Sequence, residues 1–232
     1  MKTAIFVDGA FFLKRLNTLY KSKFSNNLLN PEWIAKELMT ICLKHLDFKN
    51  GNQVQRTDLY RIFFYDCPPL TKKVHLPISK KALDFAKTPQ AQLRLQIHEE
   101  LKKKRKTALR LGKLQNFGHW ALLPQVLDEL LKGKKSFADL QDTDFHYEIR
   151  QKSVDMKIGI DIASVAYKKQ VDRMVLIAGD ADFVPAAKLA RREGIDFILD
   201  PMWMTISPDL FEHIDGLNST CYHPVPASNN AA

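Results

Sequence analysis

The chain has 232 residues, of which 45% are hydrophobic and 10% aromatic, so it can bury a core and is not a disordered protein. Its 35 Lys and Arg residues exceed its 26 Asp and Glu residues, and the net charge of +9 favours a polyanionic partner. Residues 71–115 hold 13 of these bases and three acids, so the rest of the chain is nearly neutral.

The apolar pattern predicts strands that alternate with helices. In chain order, we expect strands at 4–7, 59–65, 109–111, 174–178 and 195–199, and helices at about 31–46, 90–106, 124–131, 155–169 and 185–192. Short links join strand and helix in the C-terminal half, which is typical of a parallel sheet covered by helices on both faces. The predicted fold class is α/β with a central, mostly parallel sheet.

Neither a membrane nor a secretory route is indicated. No stretch reaches about 18 uninterrupted apolar residues. Asp8 and Gly9 interrupt the position where a signal peptide needs its apolar region, and no small-residue cleavage site follows. The cysteines and several histidines lack ligand spacing, so we interpret the former as free thiols in a reducing cytoplasm and the latter as structural or surface residues. These are Cys42, Cys67, Cys221, His75, His98, His119 and His146.

Acidic residues follow two of the predicted strands. Asp8 ends the first strand, and Asp180 and Asp182 follow strand 174–178. Binding sites of open parallel sheets form outside the carboxyl ends of the strands, so we expect these acids on one rim. Asp155 begins the helix predicted at 155–169, at the head of its apolar stripe, which predicts a carboxylate that faces the same rim.

Several carboxylates in one cleft require a cation. Two unit charges about 4 Å apart repel by about 4 kcal/mol at an effective dielectric of 20, so such pairs become protonated or bind a metal. Oxygen ligands suit Mg²⁺ or Mn²⁺, which stabilise charge on a phosphate. An acidic metal site beside a basic segment predicts a nuclease, in which Lys and Arg hold the phosphate backbone.

Each acid also has an ordinary structural interpretation. Asp8 fits a turn before Gly9, Asp180 and Asp182 fit the cap of the following helix, and Asp155 fits a helix start favoured by the macrodipole. Asp161 lies about 240° around its helix from Asp155, so there we favour a solvated acid supported by Lys157.

Three motifs together resemble the bacterial NYN-domain proteins, a branch of the PIN-like metal-dependent nuclease superfamily. They are FVDGA at residues 6–10, KSVDMKIGID at 152–161 and LIAGDADFVP at 176–185. The resemblance covers roughly residues 1–20 and 150–217. It implies a Rossmann-like three-layer sandwich and a Mg²⁺ or Mn²⁺ ribonuclease site.

By motif match, the resemblance implies that Asp8, Asp155, Asp180 and Asp182 are the catalytic, metal-binding acids, and Asp161 matches a position that is often acidic. Such domains commonly carry Asn three residues after the first Asp, where this chain has Phe11. We expect one NYN/PIN-like domain over residues 1–222, with an elaboration at about 67–150 and a flexible tail at 223–232.

The basic segment predicts a nucleic-acid-binding surface. Its densest run is Lys102, Lys103, Lys104, Arg105 and Lys106, followed by Arg110 and Lys113. Phe117, His119 and Trp120 follow. A basic groove with aromatic rings on which nucleobases stack is a common way to hold single-stranded RNA. The alternative is a solvated helix face with core aromatics.

We therefore expect a cytoplasmic, Mg²⁺- or Mn²⁺-dependent ribonuclease, an endonuclease rather than an exonuclease, with RNA as its partner and a homodimer left open. The first alternative is a non-catalytic RNA-binding or adaptor protein that retains the nuclease fold, which Phe11 favours. The second is a Toprim-like or phosphatase-like enzyme. A Toprim-like site would normally have Glu at the position of Asp8, and a phosphatase would have a second Asp at the position of Ala10, so neither pattern is matched.

Overall fold

The structure is a computed structural model that describes residues 1–20, 30–50, 53–114, 118–149 and 151–223. The strands are β1 (Lys2–Asp8), β2 (Asp47–Asn50), β3 (Gln53–Arg56), β4 (Asp58–Asp66), β5 (Lys73–His75), β6 (Ala82–Asp84), β7 (Thr107–Leu111), β8 (Lys113–Leu114), β9 (His119–Leu122), β10 (Phe145–Glu148), β11 (Gln151–Lys152), β12 (Arg173–Ile177), β13 (Asp196–Asp200) and β14 (Gly216–Leu217). The helices are α1 (Gly9–Tyr20), α2 (Pro31–Lys44), α3 (Pro89–Lys102), α4 (Pro124–Leu131), α5 (Val154–Tyr167), α6 (Val184–Arg192) and α7 (Pro208–Glu212), with a 3-10 turn at Ala181–Phe183 among others.

A six-stranded sheet forms the centre of the fold. Its strand order is β14-β13-β12-β1-β4-β7, and every neighbouring pair is parallel. The apolar runs of β1 and β12 are buried on both faces, as a parallel sheet between two helical layers requires. The predicted α/β class with a central parallel sheet is confirmed.

Helices cover both faces of this sheet. Successive side chains of a strand point to opposite faces, so Phe64 and Tyr65 of β4 mark the two sides. Phe64 packs edge-on against Phe12 of α1, with ring centroids 6.3 Å apart. The Tyr65 hydroxyl donates a hydrogen bond of 2.8 Å to Asp161 of α5. The sheet therefore lies between a layer with α1 and a layer with α5, which is the three-layer sandwich that was expected.

The chain divides into two compact units. The first comprises residues 1–66, 96–111 and 153–232, and contains the central sheet. The second comprises residues 67–95 and 112–152, and contains the antiparallel pairs β5–β6, β8–β11 and β9–β10. Its Phe85, Trp120 and Tyr147 rings pack together. The second unit thus takes up most of the segment expected as an elaboration, while residues 96–111 belong to the first.

The helix expected at 90–106 ends earlier than predicted. α3 stops at Lys102, and the amides of Lys103 and Lys104 bond to carbonyls three residues back, which tightens the last turn. Lys106 then adopts a left-handed conformation with φ of 60°, which redirects the chain into β7. Phe117 and residues 224–232 of the expected tail lie outside the described residues. In the described part of the chain, no helix has the length and apolar character needed to cross a membrane.

Candidate functional site

The carboxyl ends of β1, β4 and β12 lie side by side at one edge of the sheet. Val7 pairs with Ile177 and Asp8 pairs with Tyr65, so the residues that follow these positions share the same rim. Asp8 ends β1 and Asp66 ends β4, while Asp180 follows β12 after two residues. The rim is where open parallel sheets bind ligands.

The Asp8 side chain is partly buried and held by the start of α1. Its Oδ1 accepts hydrogen bonds from the amides of Ala10 at 3.0 Å and Phe11 at 3.2 Å. Asp8 therefore also caps α1, as its turn interpretation proposed. Burial raises the pKa of Asp8 to about 6. The hydrogen bonds from the Phe11 and Ala10 amides oppose this shift, and the negative charges of Asp155 and Asp66 add to it.

Asp155, Asp180 and Asp182 are exposed and interact with one another. The pKa of Asp155 is raised, first by partial burial and then by the charges of Asp180 and Asp182. Asp180 caps the 3-10 turn Ala181–Phe183, because its Oδ1 accepts the Asp182 amide at 3.0 Å. The charges of Asp8, Asp155, Asp180 and Asp182 are thus coupled through Asp155.

The four acids form a loose group. Among the described residues, no three of the four predicted acids have ligand atoms that all lie within 4.8 Å of one another. Asp209, Glu212 and His213 do meet this criterion. Those four carboxylates make no ion pair with Lys, Arg or His in the described part of the chain. Oxygen donors with uncompensated negative charge fit a hard divalent cation such as Mg²⁺ or Mn²⁺.

Asp161 has a different environment from the four acids and is not the solvated residue that its position on the helix suggested. Arg110 binds both of its oxygens, at 2.9 and 2.8 Å, and Tyr65 donates to it at 2.8 Å. Its side chain is 16% exposed. Lys157, expected to support Asp161, instead donates to the Leu111 carbonyl at 2.7 Å. Because Arg110 already neutralises its charge, Asp161 fits a metal less well than the others.

A buried acid beside the rim escaped the sequence prediction. Asp66 bonds His98 of α3 at 2.8 Å, and their side chains are 0% and 4% exposed. The charge of Asp66 also contributes to the raised pKa of Asp8. The rule that selected Asp8 would have selected Asp66, since it ends the strand predicted next in the chain. His98 was correctly interpreted as structural, but its acidic partner was not identified.

The basic run at residues 102–106 does not lie at the acidic rim. β7 is parallel to β4 with Ile62 opposite Thr107 and Asp66 opposite Leu111, so the turn before β7 lies at the opposite end of the sheet. That turn is the basic run of residues 102–106. Lys102 and Lys103 pair with Glu99 and Glu100. Arg110 lies near the rim end of β7, bound to Asp161. Lys113 is exposed in the second unit.

Phe11 and Met204 close over the backbone at Gly179. A β-carbon on Gly179 would lie 2.1 Å from the Met204 Cε and 2.7 Å from the Phe11 Cε2. A side chain at this position, directly before Asp180, would therefore require Met204 and Phe11 to shift. Both covering side chains are partly exposed. The departure at position 11 thus places an aromatic ring in the rim.

Met204 is delivered to the rim by a strained turn after β13. Met202 and Trp203 have φ angles of 46° and 63°, which residues with side chains adopt rarely. The turn is held by many hydrogen bonds. Arg15 donates to the Met202 carbonyl at 2.7 Å, and the Trp203 amide donates to Ser219 at 3.0 Å. The Met202 amide donates to Asp200, whose other oxygen bonds buried His45 at 2.8 Å.

Comparison with protein families supports the interpretation from sequence. The family model of the NYN domain matches residues 122–206, which include Asp155, Asp161, Asp180 and Asp182 but not Asp8. The family implies a PIN-like nuclease fold, in agreement with the parallel sheet and flanking helices. A search of curated proteins finds no match. The resemblance inferred from the motifs is thereby confirmed over residues 122–206, and this match is consistent with an NYN-domain protein of the PIN-like nuclease superfamily.

Proposed function

We propose that the protein is a metal-dependent ribonuclease that hydrolyses phosphodiester bonds of single-stranded RNA. The observation that carries the proposal is the group of four carboxylates at the carboxyl edge of the sheet, coupled in charge and without a cationic partner among the described residues. The alternative interpretations as turn and cap residues explain Asp8 and Asp180 locally, but they do not account for acids from three elements at one edge.

Asp8, Asp155, Asp180 and Asp182 are the residues that would hold Mg²⁺ or Mn²⁺. When bound, such an ion lowers the pKa of a water molecule and stabilises negative charge on a phosphate. The chain itself orients the ligands. The amides of Ala10 and Phe11 fix one oxygen of Asp8, and the Asp182 amide fixes one oxygen of Asp180. No cysteine, serine or histidine nucleophile is required by this chemistry.

Arg110 contributes to the rim through Asp161. The two hydrogen bonds from its guanidinium, with the third from Tyr65, fix Asp161 on the face of α5. This arrangement holds α5, and with it Asp155, against β4 and β7. We therefore assign Arg110 and Asp161 a positioning role, and propose that exposed cations outside this pair, such as Arg105, bind the phosphates.

The test is cleavage of RNA with a matched acid variant. A labelled single-stranded RNA is incubated with Mn²⁺ or Mg²⁺ and either wild-type protein or Asp8→Asn. Cleavage by the wild type that EDTA and the substitution abolish is expected, whereas equal cleavage by both proteins would refute the assignment. A circular RNA of the same sequence separates the two modes, since only an endonuclease opens it.

A non-catalytic RNA-binding protein is the second candidate. Phe11, in place of a polar residue at the rim, favours it, and so does the finding that no three of the four acids have ligand atoms within 4.8 Å of one another. It predicts RNA binding that falls with salt, is unchanged by EDTA and leads to no cleavage. Fluorescence anisotropy with the same RNA, with and without EDTA, distinguishes the two candidates.

A further inference from the structure

We propose that Phe11 and Met204 form an apolar surface on which a nucleobase stacks beside the carboxylates, so that these residues determine which base lies next to the scissile bond. The inference rests on the proposed function, because it concerns how the same site holds its RNA. We call the pair the stacking surface.

Position is the first argument. Phe11 lies three residues after Asp8, and its amide bonds to that carboxylate. Met204 and Phe11 both lie close to Gly179, whose neighbour in the chain is Asp180. The stacking surface is therefore between two of the acids. A phosphate bound through a cation at those acids would bring the base of the same nucleotide within reach of the ring.

The acidic rim lies far from the densest run of cations. The densest cation run lies at the other end of the sheet, and Arg110 is bound to Asp161. The acids repel a phosphate backbone, so RNA at the rim needs attractive contacts other than those with this run. Stacking on an aromatic ring provides them, because every base has a face that can stack.

The turn that precedes Met204 has a strained backbone. Two consecutive residues with side chains, Met202 and Trp203, adopt left-handed conformations to carry Met204 over Gly179. Buried His45 and Asp200 hold that turn in place. Such conformations persist where the surrounding structure enforces them, and they concentrate at ligand-binding sites.

The experiment uses single-stranded RNAs of one sequence in which one abasic nucleotide is moved along the chain. With wild-type protein and Mn²⁺, we expect one abasic position beside the cut to lower kcat/KM about tenfold, as loss of one stacked base would. Phe11→Leu keeps an apolar side chain but removes the ring, so this penalty should disappear. Phe11→Tyr keeps the ring and should retain it. Phe137→Leu is the matched control, since Phe137 is 78% exposed in the second unit.

Each outcome decides between the proposals. A penalty that Phe11→Leu abolishes and Phe137→Leu retains supports the stacking surface. RNA cleavage with no position-dependent penalty, or with the same penalty in Phe11→Leu, overturns it and leaves the proposed function intact. If the wild type binds RNA but does not cleave it, the proposed function fails, and the abasic series measured by anisotropy still tests stacking. If the protein neither binds nor cleaves RNA, both proposals fail.

Discussion

Replacement of Asp8 by Asn is expected to stabilise the protein at neutral pH while abolishing its activity. Burial favours the protonated form of Asp8, so its ionisation in the folded state is unfavourable. Asn removes the charge and keeps an oxygen that can accept the amides of Ala10 and Phe11. A residue under selection for stability alone would not have this property, but a metal ligand would.

The magnitude follows from the pKa. Asp8 titrates near 3.8 in the unfolded chain and near 6 in the folded protein, so the folded state binds more protons between these values and stability falls as pH rises through them. Above pH 6 the loss is complete and amounts to at most about 3 kcal/mol, from about 1.36 kcal/mol per pKa unit. At pH 4 it is below about 1 kcal/mol.

The assay is urea denaturation of wild type and variant in EDTA at pH 4 and pH 7.5. Asp161→Asn is the matched control, because it removes an acid that binds Arg110 and should destabilise the protein at pH 7.5. Added Mn²⁺ should raise the midpoint of the wild type more than that of Asp8→Asn, since the ion binds the folded state. The reasoning is refuted if Asp8→Asn gains no stability at pH 7.5, or gains as much at pH 4.

Three further predictions concern packing, the buried pair and the cations. Gly179→Ala should lower stability by about 1–2 kcal/mol through overlap with Met204 and Phe11, whereas Gly159→Ala, with no atom within 4 Å of the added carbon, should raise it by up to about 1 kcal/mol; thermal melts of both variants test this, and equal melts would contradict it. His98→Ala should lower the free energy of unfolding by about 1–3 kcal/mol in urea because buried Asp66 loses one hydrogen-bond partner, whereas exposed His119→Ala should change it by less than about 0.5 kcal/mol; similar losses would contradict this. Lys104→Ala with Arg105→Ala should flatten the slope of RNA affinity against salt by about 0.7 per lost phosphate contact without changing kcat, which anisotropy and cleavage measure, and an unchanged slope would show only a solvated surface.

The acids of the rim could be predicted from the sequence because buried parallel strands have a recognisable sequence pattern. Buried strands appear as continuous apolar runs, and the direction of a parallel strand tells which end carries the next residue. The position of Asp8 and Asp180 at one edge of the sheet could therefore be predicted without knowledge of any tertiary contact. Their participation in a metal site stays a prediction, since the distances between their oxygens do not by themselves define one.

The partners of Asp161 and the place of the basic run were not accessible in this way. Arg110 and Asp161 are 51 residues apart and meet only because β7 pairs with β4 beneath α5. The prediction identified residues 109–111 as a strand but not its neighbour or its direction. That direction is what carries residues 102–106 away from the rim. Helical spacing likewise placed Asp161 in water because it ignores the strand beside the helix.

The parallel alignment of β7 gives the first unit two electrically different ends. The acids lie at one end, and the basic turn lies at the other, separated by the five residues of β7. At about 3.3 Å per residue this is roughly 16 Å, or about five nucleotides at the 3.4 Å rise of a stacked strand. A dinucleotide at the acids cannot also reach the basic turn. Affinity should therefore depend on the length of the RNA, and we expect it to rise abruptly once the RNA spans from the acids to the basic turn.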